Sequence, residues 1–330
     1  MRCIKVPLRE LESVKKQLVL KELLVSGYQL LKENGFAYLP VSGTVKGYRA
    51  MQKDLVPVEK HLSLKEALRG VLSTSELELF SRSFDLIGDI AILEIGDKLL
   101  PKAQSIAEML LRHQAGIQTV LRKEAEHSGV FRVRGYRYLA GKKKTETLHR
   151  ESGVQLKLDV TKVYFSPRLS HERLRVASLV KANERVLTMF SGIGVYPLVI
   201  SKHSQAQEIV GVEINPDASA YAEENILLNK VKNVRVLCGD VRDVSGHLGL
   251  FDRIIMPLPK TAEHYLPLAL KLSHPGCVIH LYTFLKEDGI EAFQKTLLEN
   301  YPQLKVLEVV KCGQVKPHEF RVCFDLAVQT

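Results

Sequence analysis

Residues 189–197 read Met-Phe-Ser-Gly-Ile-Gly-Val-Tyr-Pro, and this stretch decides the fold. It follows the apolar run 186–190, which predicts a buried strand, and it leads into a segment with helical spacing. Glycine has no Cβ, so Gly192 and Gly194 let a nucleotide approach the backbone closely. A strand, a glycine turn and a helix in this order are typical of the first nucleotide-binding turn in an open α/β sheet.

Two acidic residues further along the chain support this interpretation. Glu213 ends the second predicted strand, where a carboxylate can accept hydrogen bonds from both ribose hydroxyls. Asp240 ends the third, within reach of an adenine amine. Each acid alone also fits a helix cap or a turn. Acids at the ends of two successive strands favour a ligand, because open α/β sheets bind ligands at that edge.

The nucleotide is better matched by S-adenosylmethionine than by a nicotinamide dinucleotide. A dinucleotide fingerprint requires a third small residue three positions after Gly194, and Pro197 stands there instead. S-adenosylmethionine has no phosphate, so it needs only the glycine turn and the two acids. The sequence therefore favours a methyl donor over a hydride carrier.

Strand and helix patterns alternate from residue 161 to the C-terminus, which predicts a mostly parallel, doubly wound sheet. The last two strands have no helix between them, only the predicted loop 311–318, so they should close the sheet as an antiparallel hairpin. The predicted strands are 185–190, 208–213, 234–238, 251–256, 278–284, 304–310 and 321–327, and the predicted helices are 196–202, 216–229, 262–272 and 288–300.

The rest of the chain suggests two smaller units. We predict a small α/β domain at 1–60, a basic α/β domain at 61–158 and the nucleotide-binding domain at 159–330. Residues 132–150 are the most basic part, with one acidic residue, Glu146, among seven basic ones: Arg132, Arg134, Arg137, Lys142, Lys143, Lys144 and Arg150. A solvated hairpin tip and an RNA-contacting surface explain this run equally well.

Composition narrows the classes of protein. The 330 residues are 45% hydrophobic and 25% charged, and the net charge is +10, which favours a polyanionic partner. No apolar run is long enough for a transmembrane span or a secretory signal, so we expect an intracellular chain. The five cysteines contain no C-x-x-C pair, and the histidines lack ligand spacing, so neither a disulfide framework nor a metal site is expected.

Several motifs together resemble the archaeal tRNA (guanine-N1)-methyltransferases that act at position 37, including the wyosine-pathway branch. They are Tyr-Phe-Ser-Pro-Arg-Leu-Ser-His-Glu-Arg at 164–173, Phe-Ser-Gly-Ile-Gly at 190–194, Val-Glu-Ile-Asn-Pro at 212–216 and the basic stretch 132–153. The resemblance implies a class I, Rossmann-like methyltransferase domain preceded by two small RNA-recognition domains. It also implies S-adenosylmethionine as cofactor and tRNA as partner.

The resemblance assigns roles to individual residues. Glu172 stands where the family places the base that removes the N1 proton of guanine; the alternative is an ordinary salt bridge with Arg173 or Arg175. Arg132 or Arg134 would lie near the guanine O6, and the sequence does not choose between them. The expected cofactor-binding residues are Tyr164, Arg173, Phe190, Ser191, Gly192, Glu213, Ile214, Asp240, Val241, Pro257 and Leu258.

One position departs from the family pattern. The loop after the fourth strand usually begins with asparagine, but here residues 256–259 read Met-Pro-Leu-Pro. Proline has neither a side-chain amide nor a backbone N–H, so a hydrogen bond at this position is lost. This favours a looser pocket that also accepts the tricyclic wyosine precursor 4-demethylwyosine for methylation at carbon 7.

We therefore expect a monomeric, cytoplasmic tRNA methyltransferase that acts at N1 of guanosine 37. The competing hypothesis is a non-catalytic RNA-binding protein that retains a degenerate nucleotide fold. Cofactor affinity separates the two, because a degenerate domain would not bind S-adenosylmethionine.

Overall fold

The structure is a computed structural model that describes residues 1–57, 64–80, 84–124, 129 and 131–329. It forms two compact units, Met1–Glu66 and Ala67–Thr330. The predicted domain boundary between residues 60 and 61 lies outside the described residues, and the one between 158 and 159 falls inside the second unit. The three-domain division stays a prediction.

In the residues that the structure describes, the first unit contains a small antiparallel sheet that packs against a helix. Its strands are β1 Arg2–Pro7, β2 Leu31–Glu33, β3 Phe36–Pro40 and β4 Ala50–Gln52, in the order β2-β3-β1-β4. Helix α1, Leu11–Leu20, buries Leu11, Val14 and Leu18, which lie on one helical face. These side chains pack against apolar residues of β1 and β3, so the unit has a core of its own.

The second unit begins with a four-stranded sheet and a separate hairpin. Helix α2, Leu64–Leu68, spans the boundary between the units, and α3, Thr74–Leu79, and α4, Ala103–His113, follow. The sheet consists of β5 Asp85–Ile87, β6 Ile90–Leu93, β7 Thr119–Lys123 and β8 Tyr136–Gly141, in that order. The hairpin consists of β9 Glu146–Glu151 and β10 Val154–Asp159, so the basic run 132–150 covers the residues just before β8, β8 itself, its connection to β9 and most of β9.

The remainder contains a seven-stranded sheet. From one edge to the other its strands are β13 (Val234–Cys238), β12 (Glu208–Glu213), β11 (Arg185–Met189), β14 (Phe251–Met256), β15 (Ser273–Lys286), β17 (Glu319–Val328) and β16 (Leu304–Lys316). It is parallel from β13 to β15, and β17 runs antiparallel to both neighbours. This confirms the predicted Rossmann-like sheet with a terminal antiparallel hairpin. The helices of this part are α5 Ser170–Leu179, α6 Val195–His203, α7 Pro216–Asn229, α8 Val241–Val244, α9 Leu266–Lys271 and α10 Ile290–Asn300.

The two faces of this sheet carry two hydrophobic cores. On β11, Val186 belongs to one core, whereas Leu187 and Met189 belong to the other. Neighbouring β12 divides in the same way, because successive side chains of a strand point to opposite faces. Both faces are therefore covered, as a doubly wound sheet requires. Among the described residues, no helix is long and apolar enough to cross a membrane.

Two elements differ from the sequence expectation. The predicted loop 311–318 is wrong: β16 continues to Lys316 and β17 starts at Glu319, so only Pro317 and His318 connect them. The ends of these strands are largely exposed, so no apolar alternation marks them as strand. Helix α5 was not predicted, because its buried residues include charged Glu172 and Arg173 and hide the apolar stripe.

Two asparagines of α7 fasten the hairpin β9–β10 to the parallel sheet's helical layer. Asn225 accepts the Lys157 backbone N–H at 2.7 Å and donates to the Lys157 carbonyl at 3.1 Å and to the Ile193 carbonyl at 3.2 Å. Asn229, one turn later, makes the same pair of bonds with Gln155, at 2.8 and 2.6 Å. These amides satisfy the outer edge of β10, which would otherwise bury unpaired backbone groups.

We predict that Asn225→Ala lowers the free energy of unfolding by about 2–3 kcal/mol, because Asn225 is fully buried and its loss leaves backbone groups without partners. Chemical denaturation measures the effect. Exposed Asn300→Ala, at the end of α10, is the matched control and should change stability by less than about 0.5 kcal/mol. Equal stability of the two variants would contradict the proposed fastening.

Candidate active site

The glycine turn after β11 is shaped by three residues with positive φ: Phe190 at 59°, Gly192 at 57° and Gly194 at 79°. Gly194 caps α6, and a Cβ on it would lie 3.2 Å from the Cβ of Ala222. Glycine is therefore needed both for the backbone angle and for the close approach of α7. The turn faces the carboxyl edge of the sheet, where β12 and β13 also end.

Glu213 ties this turn to the end of β12. Its Oε2 accepts the Gly192 backbone N–H at 2.7 Å, and its Oε1 accepts the Asn215 N–H at 2.8 Å. Burial raises the pKa of Glu213, although these backbone donors oppose the shift. Each carboxylate oxygen still has a second lone pair, so Glu213 can accept hydroxyl donors in addition.

Asp240 caps the short helix α8 and accepts the Arg242 backbone N–H at 2.9 Å. The Arg242 side chain folds back onto the same carboxylate, and this hydrogen bond holds the pKa of Asp240 below its usual value. The guanidinium also lies 5.3 Å from the ring centroid of Tyr265. A ligand amine at Asp240 would therefore share the carboxylate with Arg242.

These residues enclose a cavity of about 430 Å³, called here the cofactor cavity. Its lining includes ten of the residues that the sequence singled out: Arg132, Tyr164, Phe190, Gly192, Glu213, Ile214, Asp240, Val241, Pro257 and Leu258. A largely apolar cavity with two acids in its lining fits a nucleoside with a neutral base and two ribose hydroxyls. The residues present thus suit S-adenosylmethionine.

Several lining residues were missed by sequence reasoning: Phe131, Val212, Asn215, Ala218, Gly239, Arg242 and Tyr265. Tyr265 meets Phe190 edge to face, with ring centroids 4.9 Å apart. Tyr265 comes from the 3₁₀ turn before α9, far from the glycine motif in sequence. The two rings meet only because β11 and β14 are neighbouring strands in the sheet. No local sequence pattern indicates that these two strands pair.

Arg173 and Ser191, both expected to contact the cofactor, do not line this cavity. Arg173 is buried, bonds Glu151 through Nε at 2.6 Å and donates to the Ser166 carbonyl at 3.1 Å. The structure therefore places Arg173 behind the 164–167 loop, where it supports the loop. Ser191 is buried against Gly211 of β12, where a Cβ on the glycine would lie 2.8 Å from the serine Oγ.

Glu151, the partner of Arg173, is the last residue of β9 in the β9–β10 hairpin. Burial raises the pKa of Glu151, but hydrogen bonds from His149 and Arg173 outweigh burial and leave this pKa below its usual value. His149 Nδ1 accepts the Gly88 backbone N–H at 3.1 Å, so in the neutral ring the proton lies on Nε2, which faces Glu151 at 3.5 Å. The loop that carries Tyr164 thus depends on β9.

Glu172 is buried and does not line the cofactor cavity. Both of its oxygens accept from Arg175 at 2.8 Å, and the Tyr282 hydroxyl donates to Oε1 at 2.6 Å. Arg175 continues to Asp325 of β17 at 2.7 Å. Of the two salt bridges considered as the alternative role of Glu172, the structure contains the one with Arg175.

Asp325 also belongs to a buried group with His280 and Cys323, whose ligand-type atoms lie within 4.8 Å of one another. His280 Nδ1 bonds Asp325 at 2.6 Å, and its Nε2 faces Arg253 at 2.8 Å. Burial lowers the pKa of His280, so the ring is neutral near pH 7. With Arg175 and Arg253 beside it, this group is occupied by hydrogen bonds and repels a cation.

A second cavity of about 640 Å³ adjoins the first and shares Arg132 and Tyr164 with it. We call it the cationic chamber, because its lining contains only two carboxylates but seven basic side chains. The basic residues are Lys123, Arg132, Arg134, Arg168, Lys260, Lys316 and Arg321. One carboxylate, Asp85, is held by Lys123 at 3.0 Å and Arg168 at 2.7 Å. A polyanion is the ligand that such a lining attracts.

The two candidate arginines differ in position. Arg132 has φ of 52°, and its guanidinium lies over the Tyr164 ring at 4.8 Å from the centroid. Burial and the nearby Arg321 guanidinium hold the pKa of Arg132 below its usual value. Arg134 lines only the chamber. Arg132 therefore stands at the junction of the two cavities, and Arg134 lies farther from the cofactor cavity.

The basic run is partly structural and partly exposed. Lys144 bonds Asp89 at 2.6 Å and so helps to hold the β5–β6 turn against the hairpin. Lys142, Lys143 and Arg150 are exposed. The exposed members are free to approach phosphates, whereas Lys144 is already paired.

Comparison with protein families gives three matches that together cover most of the chain. Residues 147–309 match the TRM5/TYW2 methyltransferase domain, residues 64–145 match the TYW2 N-terminal domain, and residues 3–49 match the tRNA methyltransferase 5 N-terminal domain.

Individual proteins are similar over comparable lengths. The chain is 39% identical over 331 residues to the tRNA (guanine(37)-N(1))-methyltransferase Trm5b of Pyrococcus abyssi, with 98% of each chain covered. It is 31% identical to the tRNA (guanine(37)-N(1))/4-demethylwyosine(37)-methyltransferase Taw22 of Nanoarchaeum equitans, covering 75% of this chain and 96% of that one. A solved complex of aTrm5 and tRNALeu superposes with a TM-score of 0.74 at 30% identity, with 100% of each chain covered.

We predict that Glu213→Ala weakens S-adenosylmethionine binding by about 1–3 kcal/mol, because a ribose hydroxyl loses its acceptor and the glycine turn loses its anchor. Isothermal titration calorimetry measures the affinity. Exposed Glu223→Ala on α7 is the matched control and should bind like the wild type. An unchanged affinity in Glu213→Ala would show that the cofactor binds elsewhere.

We predict that Lys142→Ala with Lys143→Ala raises the dissociation constant for tRNA and reduces its salt dependence, because fewer phosphates are neutralised. Filter binding at several salt concentrations gives both quantities. Lys144→Ala is the comparison: it breaks the bond with Asp89, so its main effect should be on thermal stability. If the double variant keeps the wild-type salt slope, Lys142 and Lys143 point into solvent and do not contact tRNA phosphates.

Proposed function

The chain belongs to the TRM5/TYW2 methyltransferase family, and we propose that it transfers a methyl group from S-adenosylmethionine to N1 of guanosine 37 in the anticodon loop of tRNA. The observation that carries the proposal is the junction of the two cavities at Arg132 and Tyr164. A nucleoside-sized apolar cavity with two acids adjoins a cationic chamber suited to RNA. A base splayed out of a loop can enter such a chamber, as protein recognition of single-stranded RNA requires.

The proposed cofactor residues act by position. S-adenosylmethionine, when bound, supplies an electrophilic methyl group on a sulfonium. Glu213 accepts the ribose hydroxyls, Asp240 accepts the adenine amine, and Ile214 and Val241 provide apolar surface for the base. Holding both reactants in line supplies much of the rate, because the transfer becomes effectively unimolecular.

The target base needs a proton acceptor and a stabilised oxygen. Guanine N1 is weakly nucleophilic until it loses its proton, and negative charge then develops on O6. We propose Arg132 as the donor to O6, because it stands at the junction, with Arg134 behind it.

Glu172 remains the proposed base. It lies in the first turn of α5, directly after the loop that carries Tyr164, and it accepts hydrogen bonds from Arg175 and Tyr282. These three bonds leave one carboxylate lone pair, on Oε2, that can accept the N1 proton. The rival proposal is that Glu172 only anchors Arg175, and the variant below separates the two.

A second substrate is favoured by the 257–259 loop. Pro257 lines the cofactor cavity with neither a side-chain amide nor a backbone N–H, and the Leu258 N–H bonds the Met256 carbonyl at 2.9 Å, so this position offers no donor to a guanine edge. The adjoining chamber of about 640 Å³ exceeds what a purine needs. We therefore propose that carbon 7 of 4-demethylwyosine is also methylated.

The organisation of the chain is proposed as three domains: 1–60 and 61–158 for tRNA recognition and 159–330 for methyl transfer. The three family matches, at 3–49, 64–145 and 147–309, support this division. We propose that the protein acts as a monomer in the cytoplasm. The non-catalytic alternative is disfavoured, because it leaves the well-formed cofactor cavity without a use.

The direct test is nucleoside mass spectrometry. Unmodified tRNA transcript is incubated with the protein and S-adenosylmethionine labelled in its methyl group, then digested. We expect labelled 1-methylguanosine from a transcript with guanosine 37 and none when adenosine replaces it. Tight binding of tRNA and cofactor without any labelled nucleoside would favour the non-catalytic protein.

We predict that Glu172→Gln slows methyl transfer by roughly 10²–10⁴-fold while tRNA and cofactor still bind, because size and shape are kept but the base is lost. Single-turnover rates with both ligands saturating measure the effect. Glu308→Gln, which removes an exposed carboxylate 3.7 Å from the same Arg175, is the matched control and should keep the rate within about twofold.

The second substrate extends this test. Methylation at carbon 7 removes no N1 proton, and the proton on carbon 7 leaves only after the carbon–methyl bond has formed, so this reaction should tolerate Glu172→Gln better than methylation of guanosine does. A near-normal guanosine rate would remove Glu172 from the mechanism. Equal losses on both substrates, with lowered thermal stability, would assign Glu172 to anchoring Arg175.

A further inference from the structure

Arg321 lines the cationic chamber, and neither the sequence motifs nor the strand pattern marked it as a functional residue. It lies on β17, opposite Phe284 of β15, and its guanidinium is 5.3 Å from the Phe284 ring centroid. Its Nη2 donates to the Tyr164 hydroxyl at 3.4 Å. The terminal hairpin thus delivers a positive charge to the same tyrosine that Arg132 covers.

The Nε–H of Arg321 is buried and has no hydrogen-bond partner among the residues that the structure describes. Leaving a buried charged donor without an acceptor destabilises a protein, so such a group calls for an explanation, and a ligand that supplies the acceptor is one. The nearby Arg321 also lowers the pKa of Arg132, so the two guanidiniums repel one another. An oxygen with negative charge between them relieves both costs.

We infer that Arg321 donates a hydrogen bond to the carbonyl oxygen of the target purine, O6 of guanine. This inference rests on the proposed function. Together with Arg132, it gives O6 two arginine donors, and O6 has two lone pairs to accept them. Both bonds strengthen as N1 loses its proton, because charge then moves onto the oxygen.

The surroundings favour a base over a phosphate as the partner of Arg321. Tyr164, Phe165 and Phe284 line the same chamber, and aromatic rings are the surfaces on which bases stack. The exposed cations of the chamber, Lys260 and Lys316, lie where a hydrated phosphate can reach them. A buried donor among aromatic rings instead suits an oxygen on a planar ring.

The first arm of the test measures binding and needs no catalysis. Filter binding compares a transcript carrying guanosine at position 37 with one carrying 2-aminopurine, which lacks the oxygen. The wild type should bind the 2-aminopurine transcript about tenfold more weakly, and Arg321→Met should show a clearly smaller difference, because only Arg132 then donates to the oxygen. Equal discrimination by wild type and variant overturns the inference, whether or not the chain methylates guanosine.

The second arm measures single-turnover methylation with both ligands saturating. Arg321→Met should slow the reaction by about 10- to 100-fold on guanosine and by the same factor on inosine, which keeps the oxygen and lacks the amine. The salt slope of tRNA binding should not change. Lys305→Met, an exposed charge on the same hairpin, is the matched control and should behave like the wild type.

Two further results would overturn the inference. An unchanged rate with a salt slope reduced by about one would show that Arg321 contacts a phosphate. An equal loss in Tyr164→Phe would show that Arg321 acts only by holding the tyrosine hydroxyl. If the wild type makes no methylguanosine, the proposed function fails, and the binding arm still decides the role of Arg321.

Discussion

The hydrogen bonds from Asn225 and Asn229 to the outer edge of β10 are the constraint on which the site depends. They take the place of a neighbouring strand and fix the β9–β10 hairpin against α7. The chain that leaves β10 leads within a few residues to Tyr164, which lines both cavities. This fastening acts together with the Arg173–Glu151 pair and the apolar core that β10 shares with the parallel sheet, and the three hold the β9–β10 hairpin and the nucleotide-binding sheet in one frame. Catalysis by positioning needs such a frame, because small displacements of reacting groups are costly.

Charge is divided between the two cavities in a way that suits two different ligands. The lining of the cofactor cavity includes Glu213 and Asp240, and these favour a cationic nucleoside such as S-adenosylmethionine. The chamber carries seven arginine and lysine side chains against two carboxylates and favours the polyanion. Arg132 and Tyr164 form the border, so the methyl group and the target base should meet there. The same division disfavours exchange of the two ligands between the sites.

Behind the border, a buried polar network links α5 to the terminal hairpin. It runs through side chains of α5, β17, β15, β14 and the turn before β11: Glu172, Arg175, Asp325, His280, Arg253 and Glu184. Burial would raise the pKa of Asp325, but bonds from His280 and Arg175 outweigh it and hold this pKa well below its usual value. A network with each charge paired is rigid, whereas removal of one member leaves a buried charge without its partner. This network therefore couples the proposed base to the hairpin that carries Arg321.

The sequence alone determined the order of strands and helices, the glycine turn and the two acids, because each is a local pattern read over a few residues. Glu213 and Asp240 meet in one cavity since parallel strands end at a common edge, and that rule needs no coordinates. The sequence alone did not determine which side chains pair with one another. Arg173 pairs with Glu151, 22 residues away, and Arg175 with Asp325, 150 residues away, so neither pairing leaves a local pattern. The tertiary structure also decided that Arg321 reaches Tyr164, because only the antiparallel return of β17 beside β15 brings that arginine to the site.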